Sequence, residues 1–349
     1  MQALVLAGGQ GTRLRPLTYT TPKPVMPLAG RPFLAFMLDW LRGHGVSEAI
    51  LSCGFMSDGV RAVLGDVYGG MRLRYVVEEE PLGTAGPVRL ALDEGILEER
   101  LLVLNGDVLT DMDLTAEIAQ HEQTGARCTL ALIEVEDTAS YGVVPTDADG
   151  RVEAFLEKAD DDVPTNRINA GAYVLEREVV EALVPAGRAV SFEREVFPEL
   201  VGDGLYGWAA DGYWIDIGTP ERYLEATHDL LSGVVESALP ARDETGSLIG
   251  DGCLTSGAHI GPQTVLGAHC SVGNDSFVER SVLHDRVIVG ADCVIRDAVL
   301  AERVRVGDGA RIDPGAIVGA GARIEPAAVV GPDARIDPDA VVAAGETVR

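Results

Sequence analysis

Three stretches of this chain combine residue types and spacings suited to phosphate chemistry. Leu6-Ala7-Gly8-Gly9-Gln10-Gly11-Thr12-Arg13 follows an apolar run at the N-terminus. Glycines there let backbone N–H groups come close to a polyphosphate. Arg13 adds a planar fork for phosphate oxygens or a departing pyrophosphate. A dinucleotide fingerprint would need glycine where Leu14 stands, and a Walker-type loop would need a Gly-Lys-Ser/Thr run that does not follow. The second stretch is Pro22-Lys23-Pro24. The third, Leu104-Asn105-Gly106-Asp107, puts a carboxylate just past an apolar run.

Lysine occurs only at Lys23 and Lys158, against 26 arginines. In so arginine-biased a chain, a retained lysine marks a place where a compact charge on a flexible stem serves better than a broad fork. The competing explanation is chance.

These residues need a scaffold. Apolar runs at Ala3–Leu6, Ala49–Ser52, Leu73–Val77 and Leu101–Leu104 read as strands. They alternate with helical stretches at Phe33–Arg42, Val60–Leu64 and Val88–Leu92. Such alternation predicts a parallel sheet covered by helices, with ligands at the carboxyl ends of its strands. The last third changes period. From Val282 an aliphatic residue recurs every six positions, through Ile288, Val294, Leu300, Val306, Ile312, Val318, Ile324, Val330 and Ile336 to Val342. An earlier run in another phase holds Ile260, Leu266, Val272 and Val278. Period six predicts a parallel β-helix of hexapeptide repeats, about five coils long, with an irregularity at Val278–Val282. These readings predict an α/β domain over 1–235, a linker over 236–248 and a β-helix over 249–349.

The motifs, taken in order, resemble those of the sugar-1-phosphate nucleotidyltransferases. The matching stretches are Leu6–Thr18 with Pro22–Pro24, Glu78–Pro87, Leu104–Asp107, Tyr141–Val144, Phe155–Lys158, Ile168–Gly171, Glu193–Pro198 and Trp214–Pro220. They cover essentially the whole chain, since members often carry a C-terminal β-helix, and the mannose-1-phosphate guanylyltransferase subgroup is most similar. The resemblance implies that the sheet is Rossmann-like and mixed and the β-helix left-handed. The resemblance implies that Leu6, Ala7, Gly8, Gly9, Gly11, Thr12, Arg13, Lys23, Glu78, Pro81, Gly83, Thr84, Ala85, Asn105, Gly106 and Asp107 bind the nucleotide. It implies that Tyr141, Gly142, Glu157, Lys158, Asn169 and Gly171 bind the sugar phosphate. Asp107 and Asp216 would hold Mg²⁺, whose hard character suits carboxylate oxygens. Arg13, Lys23, Asp107, Lys158 and Asp216 form the expected catalytic set. The family's Glu-Lys-Pro stands here as Glu157-Lys158-Ala159, a departure that spares the charges. Glu78 points to guanine, because an acceptor-only carboxylate matches the two adjacent donors of a guanine edge. A solvated surface charge is the plainer alternative.

The expected reaction joins GTP to mannose 1-phosphate. Alternatives are UTP or dTTP with glucose 1-phosphate, GTP with heptose 1-phosphate, and a silent NDP-sugar-binding paralogue. Histidines at 259, 269 and 284 raise an acyltransferase reading, with coil corners as the plainer one. A net charge of −27 argues against nucleic acid and anionic membranes as partners. Five scattered cysteines and the absence of a signal-like N-terminus or long apolar run fit a cytoplasmic enzyme. The β-helix offers faces for homo-oligomerisation.

Overall fold

The computed structural model describes residues 1–54, 56–157, 163–239 and 245–349. These form two compact units, Met1–Gly9 with Met37–Trp214, and Gln10–Phe36 with Ile215–Arg349.

The first unit is built on strands β1 (Gln2–Leu6), β2 (Glu48–Cys53), β3 (Met71–Val77), β4 (Arg100–Asn105), β5 (Cys128–Glu134), β6 (Arg167–Glu176) and β7 (Leu205–Ala209). Their spatial order is β7-β5-β6-β4-β1-β2-β3. β1 lies parallel to β2 and β4, and β2 to β3. β6 enters antiparallel to both β4 and β5, while β7 runs parallel to β5. The sheet is therefore mixed, as the family resemblance implies, rather than all-parallel as the alternation alone predicts. Short strands Gly142–Val143 and Leu156–Glu157 pair beside β6. Helices α1 (Phe33–Gly43), α2 (Ser57–Leu64), α3 (Gly86–Asp93), α4 (Leu114–Thr124) and α5 (Arg177–Leu183) connect the strands. Local chemistry sets their ends: the Asp113 carboxylate caps α4 by accepting from the N–H groups of Thr115 and Ala116, and left-handed Gly125 stops it.

The core closes around Leu4, Ile50, Val103, Leu130 and Tyr173, where the Phe192 and Phe197 rings stack at 5.4 Å. Burying each such ring contributes about 1.5–3 kcal/mol. The β5–β6 ladder shifts register between Asn169 and Tyr173. This bulge leaves residues 170–172 without regular partners on β5, beside the carboxyl end of β4.

The second unit contains a left-handed β-helix of three parallel sheets. One sheet stacks Leu248–Ile249, Val265–Leu266, Val282–Leu283, Val299–Leu300, Ile317–Val318 and Arg335–Ile336. The inward stack differs in one respect from the sequence expectation. Ile288 is 46% exposed, and Val289 and Ile295 are the buried residues. The cause is coil length. Leu266 pairs with Leu283, 17 residues on, whereas Leu300 pairs with Val318, 18 residues on. The corners after Val278 and Ile295 are each one residue short, so the inward set steps from Val278 to Leu283 and from Ile295 to Leu300. Val282 is buried as well, but on the outer side of its sheet, where Val265, Val299 and Ile317 are also covered.

The cysteines of the β-helix do packing work. The thiols of Cys253, Cys270 and Cys293 donate to the carbonyls of Gly267, His284 and Gly307, each in the next coil. Ser247 and Ser276 place hydroxyls equivalently on Gly261 and Gly290. His269 occupies a positive-φ corner, whereas His259 lies in a strand, stacked on Phe277 at 4.4 Å.

Helix α6 (Pro220–Ser232) belongs to this unit. Its Tyr223 hydroxyl donates to the Pro27 carbonyl and meets His284 Nε2 at 3.1 Å. His284, in the corner between Val282–Leu283 and Ile288–Val289, is thus also a buried partner of α6. Burial lowers its pKa from 6.5 to about 4, against a smaller opposing effect of Asp285. A depressed histidine contributes stability that is complete above about pH 6.5 and lost as pH falls toward 4. The change is about 3 kcal/mol for this one group. Urea midpoints at pH 7 and pH 4.5 should show a smaller drop for His284→Asn than for the parent. An equal drop would mean that His121 and His228, also lowered by burial, carry the effect.

No helix of the described residues is long and apolar enough to cross a membrane.

Candidate active site

In the first unit, the predicted nucleotide loop leaves β1 at its carboxyl end. Ala7 N–H donates to Ser52 O (2.8 Å), and Gly106 N–H donates to Leu6 O (2.9 Å). Three strand ends, from β1, β2 and β4, are therefore tied together where the first glycines run. Gly9 is exposed, with open space where a side chain would project. Gly8 is required by close approach. A Cβ there would stand 2.6 Å from Glu78 Oε1.

Glu78 follows β3, its N–H donating to Cys53 O (2.9 Å). Its carboxylate is already engaged: Ser52 Oγ donates to Oε1 (2.7 Å) and Leu82 N–H donates to Oε2 (3.0 Å). Each oxygen keeps a second lone pair. The side chain thus shapes the loop and retains accepting capacity. The same surroundings push the Cys53 thiol up to about 12, chiefly through burial and then through the Glu78 charge. Cys53 is a packing residue, not a nucleophile.

Beyond Glu78, Pro81 is exposed and the loop is pinned from Leu82 onward. Val190 N–H donates to Leu82 O and Ala85 N–H to Val190 O, both at 2.9 Å. A Cβ on Gly83 would meet Val190 O at 2.5 Å. Thr84 Oγ1 and Ser191 Oγ both donate to Glu193 Oε2 at 2.6 Å, and Thr84 Oγ1 accepts from Phe192 N–H.

Asn105, Gly106 and half-buried Asp107 end β4. The Asn105 amide lies against Gly171, where a Cβ would come within 2.5 Å of Nδ2. Within the β6 bulge, Asn169 Oδ1 accepts from Gly171 N–H (3.0 Å) and Nδ2 donates to Tyr173 Oη (2.9 Å). Burial pushes the Tyr173 phenol well up, and the charges of Glu193 and Asp107 add to it. Trp214 Nε1 donates to Ala170 O (2.8 Å), and the Tyr141 ring meets Trp214 edge-on at 5.4 Å. Gly142 pairs with Glu157 across the adjoining short strands. Tyr141, Gly142, Asn169 and Gly171 thus lie around one bulge, with the backbone of Glu157 paired beside Gly142. Lys158 lies outside the described residues.

The second unit holds the remaining predicted residues. Gly11 (φ +60°) opens a 3₁₀ turn over Thr12–Leu14, and its carbonyl accepts from Thr18 Oγ1 (2.7 Å) and Leu14 N–H (2.9 Å). Leu14 buries, while Thr12 and Arg13 are exposed. Half-buried Lys23 starts the next turn, its stem beside Gly11. Asp216 ends a short strand and is followed by Gly218. A Cβ on Gly218 would lie 2.7 Å from Arg13 Nη2 and 3.2 Å from Asp216 Oδ2. A bare backbone here lets a guanidinium and a carboxylate share one small space.

Residues 2–233 match the nucleotidyl transferase family, about two thirds of the sequence. The chain belongs to the nucleotidyl transferase family. Residues 235–345 match the left-handed β-helix (LbH) domain of EIF2B subunit epsilon. The transferase is 40% identical over 290 residues to a mannose-1-phosphate guanylyltransferase of Mycobacterium tuberculosis, covering 82% of this chain and 80% of that protein. It is 35% identical over 280 residues to a mannose-1-phosphate guanyltransferase of Schizosaccharomyces pombe, covering 77% and 74% respectively. Its fold matches that of HddC from Yersinia pseudotuberculosis complexed with GMP-PN, with a TM-score of 0.54 and 30% identity over 64% of this chain and 97% of that one. This nucleotidyl transferase accordingly acts on a nucleoside triphosphate and a sugar 1-phosphate. Enzymes of its family generally use a divalent metal.

The donor set suits such an ion. Among the described residues no group of three or more His, Cys, Asp or Glu side chains forms a cage. A hard ion held by one or two carboxylates and completed by substrate phosphates and water needs no cage. Sequence reasoning assigned no role to Ser52, Glu193, Tyr173, Trp214 or Gly218. Glu193, Trp214 and Gly218 fall inside the matching motifs Glu193–Pro198 and Trp214–Pro220, and that is their only local signal. Ser52 and Tyr173 act through hydrogen bonds that no local pattern announces.

Proposed function

We propose that this chain transfers the guanylyl group of GTP to α-D-mannose 1-phosphate, forming GDP-mannose and pyrophosphate. A phosphate oxygen of the sugar 1-phosphate attacks the α-phosphorus. The bond to the bridging oxygen of the leaving pyrophosphate breaks. Both reactants are anionic, so catalysis consists of positioning and charge neutralisation. The glycine-lined turn, Arg13 and Lys23 are assigned to the triphosphate. Lys158 is assigned to the sugar phosphate, with Tyr141, Glu157 and Asn169 on the sugar side. Asp107 and Asp216 are the proposed ligands of Mg²⁺, which when bound offsets phosphate charge.

The observation that carries the base assignment is Glu78, an acceptor-only side chain fixed against Gly8 with lone pairs to spare. The names borne by the relatives and the GMP-PN of the structural neighbour agree with it. Pyrophosphate release over a grid of four nucleoside triphosphates and several sugar 1-phosphates tests the assignment. GTP with mannose 1-phosphate should lead, and Glu78→Gln should lower kcat/KM for GTP by about tenfold or more. An amide in that place turns a donor toward either the Ser52 hydroxyl or the Leu82 N–H. Turnover with UTP and none with GTP would overturn the base assignment; no turnover with any pair would favour a silent sugar-nucleotide-binding protein.

The same reading keeps 236–248 as a linker between a catalytic domain over 1–235 and the β-helix over 249–349. The family matches, which end at 233 and resume at 235, support a boundary there but include 236–248 in the β-helix match. It assigns homo-oligomerisation to the β-helix. It also places the enzyme in the cytoplasm, in keeping with five free thiols.

A further inference from the structure

We propose that Arg335, in the β-helix, is a positioning residue for the phosphate-binding turn that carries Arg13. The inference rests on the reading that Arg13 grips the triphosphate. Arg335 continues the outer column of one sheet, whose earlier members Val265, Val282, Val299 and Ile317 are at most 2% exposed. The apolar column becomes an arginine at the coil that reaches the turn. Arg335 Nη1 donates to Arg15 O at 2.7 Å and to Arg13 O at 3.4 Å. The turn's own bonds, Leu14 N–H to Gly11 O and Arg15 N–H to Thr12 O, leave those two carbonyls to it.

A second contact extends the clamp. Arg335 Nη2 lies 3.8 Å from Glu221 Oε1, in the first turn of α6. That helix begins just after Asp216 and Gly218, and Gly218 is where the Arg13 guanidinium rests. One forked cation therefore ties together the two segments whose side chains meet at Gly218. Only an arginine offers several donors in fixed directions to do so. Loss of the fork frees the turn's backbone and with it the direction in which Arg13 leaves the chain.

The experiment compares the parent with Arg335→Ala, Arg335→Lys and Arg323→Ala. Arg323 is an outward arginine of a different sheet. In Arg335→Ala, KM for the nucleoside triphosphate should rise about tenfold, with KM for the sugar 1-phosphate within about twofold of the parent. Arg335→Lys should recover part of the loss, and Arg323→Ala should keep parent kinetics. Hydrogen exchange at the Leu14 and Arg15 amides, which needs no turnover, should quicken several-fold in Arg335→Ala alone. Unchanged exchange there overturns the proposal even if the parent turns over none of the substrates tried. A parent-like KM for the triphosphate, or equal rises in both KM values with a lower Tm, overturns it also.

Discussion

Asp107→Asn and Asp216→Asn should each lower kcat by a factor of about 10³ or more, while Tm moves by no more than about 2 °C. Asparagine keeps the shape and one acceptor of the carboxylate and removes its charge. Asp107 is half-buried at the end of β4, beyond the ladder that β1 and β6 complete. Asp216 is half-buried at a strand end, before the bare backbone of Gly218. Neither residue is in a core cluster, so the fold has little to lose. Pyrophosphate release at saturating Mg²⁺ is the measurement. Near-normal rates for either variant would remove that residue from the metal assignment.

Gly218→Ala should lower kcat/KM by about a hundredfold without unfolding the protein. The new methyl would stand 2.7 Å from Arg13 Nη2, 3.0 Å from Arg13 Cζ and 3.2 Å from Asp216 Oδ2. No backbone atom stands within those distances, and the guanidinium is the far end of a flexible, exposed side chain. The collision is therefore relieved by moving Arg13 away from its place, which spares the fold and spoils the chemistry. Gly43→Ala, where a Cβ meets nothing within 4 Å, serves as the control and should retain parent kinetics. A Gly218→Ala protein with parent kcat/KM would show that Arg13 acts from some other position.

What could be read from sequence was what is written locally. The turn from Gly8 to Arg13 declares itself by residue type, and the β-helix by its period. The slip after Val278 is legible in the sequence, but the inward phase that follows it is not, because Ile288 and Val294 are as aliphatic as Val289 and Ile295. Hydropathy cannot say which of two adjacent apolar residues faces inward. Strands β5 and β6 escape the alternation pattern, because short paired strands rather than a helix separate them and β6 enters antiparallel. The clasp on Glu78 was equally hidden: Ser52 is 26 positions away, and β2 and β3 must pair before the hydroxyl and carboxylate meet. Nor does any local pattern announce that Gln10–Phe36 forms a compact unit with Ile215–Arg349. The bond from Tyr223 to Pro27 spans 196 positions.

The mixture of 17- and 18-residue coils has a consequence for how this domain tolerates change. The short corners after Val278 and Ile295 show that one residue can be absent without misaligning the strands on either side. A third short corner, between Leu254 and His259, lies at another edge of the prism, so single-residue deletions are absorbed at more than one edge while the inner aliphatic ladder stays in step.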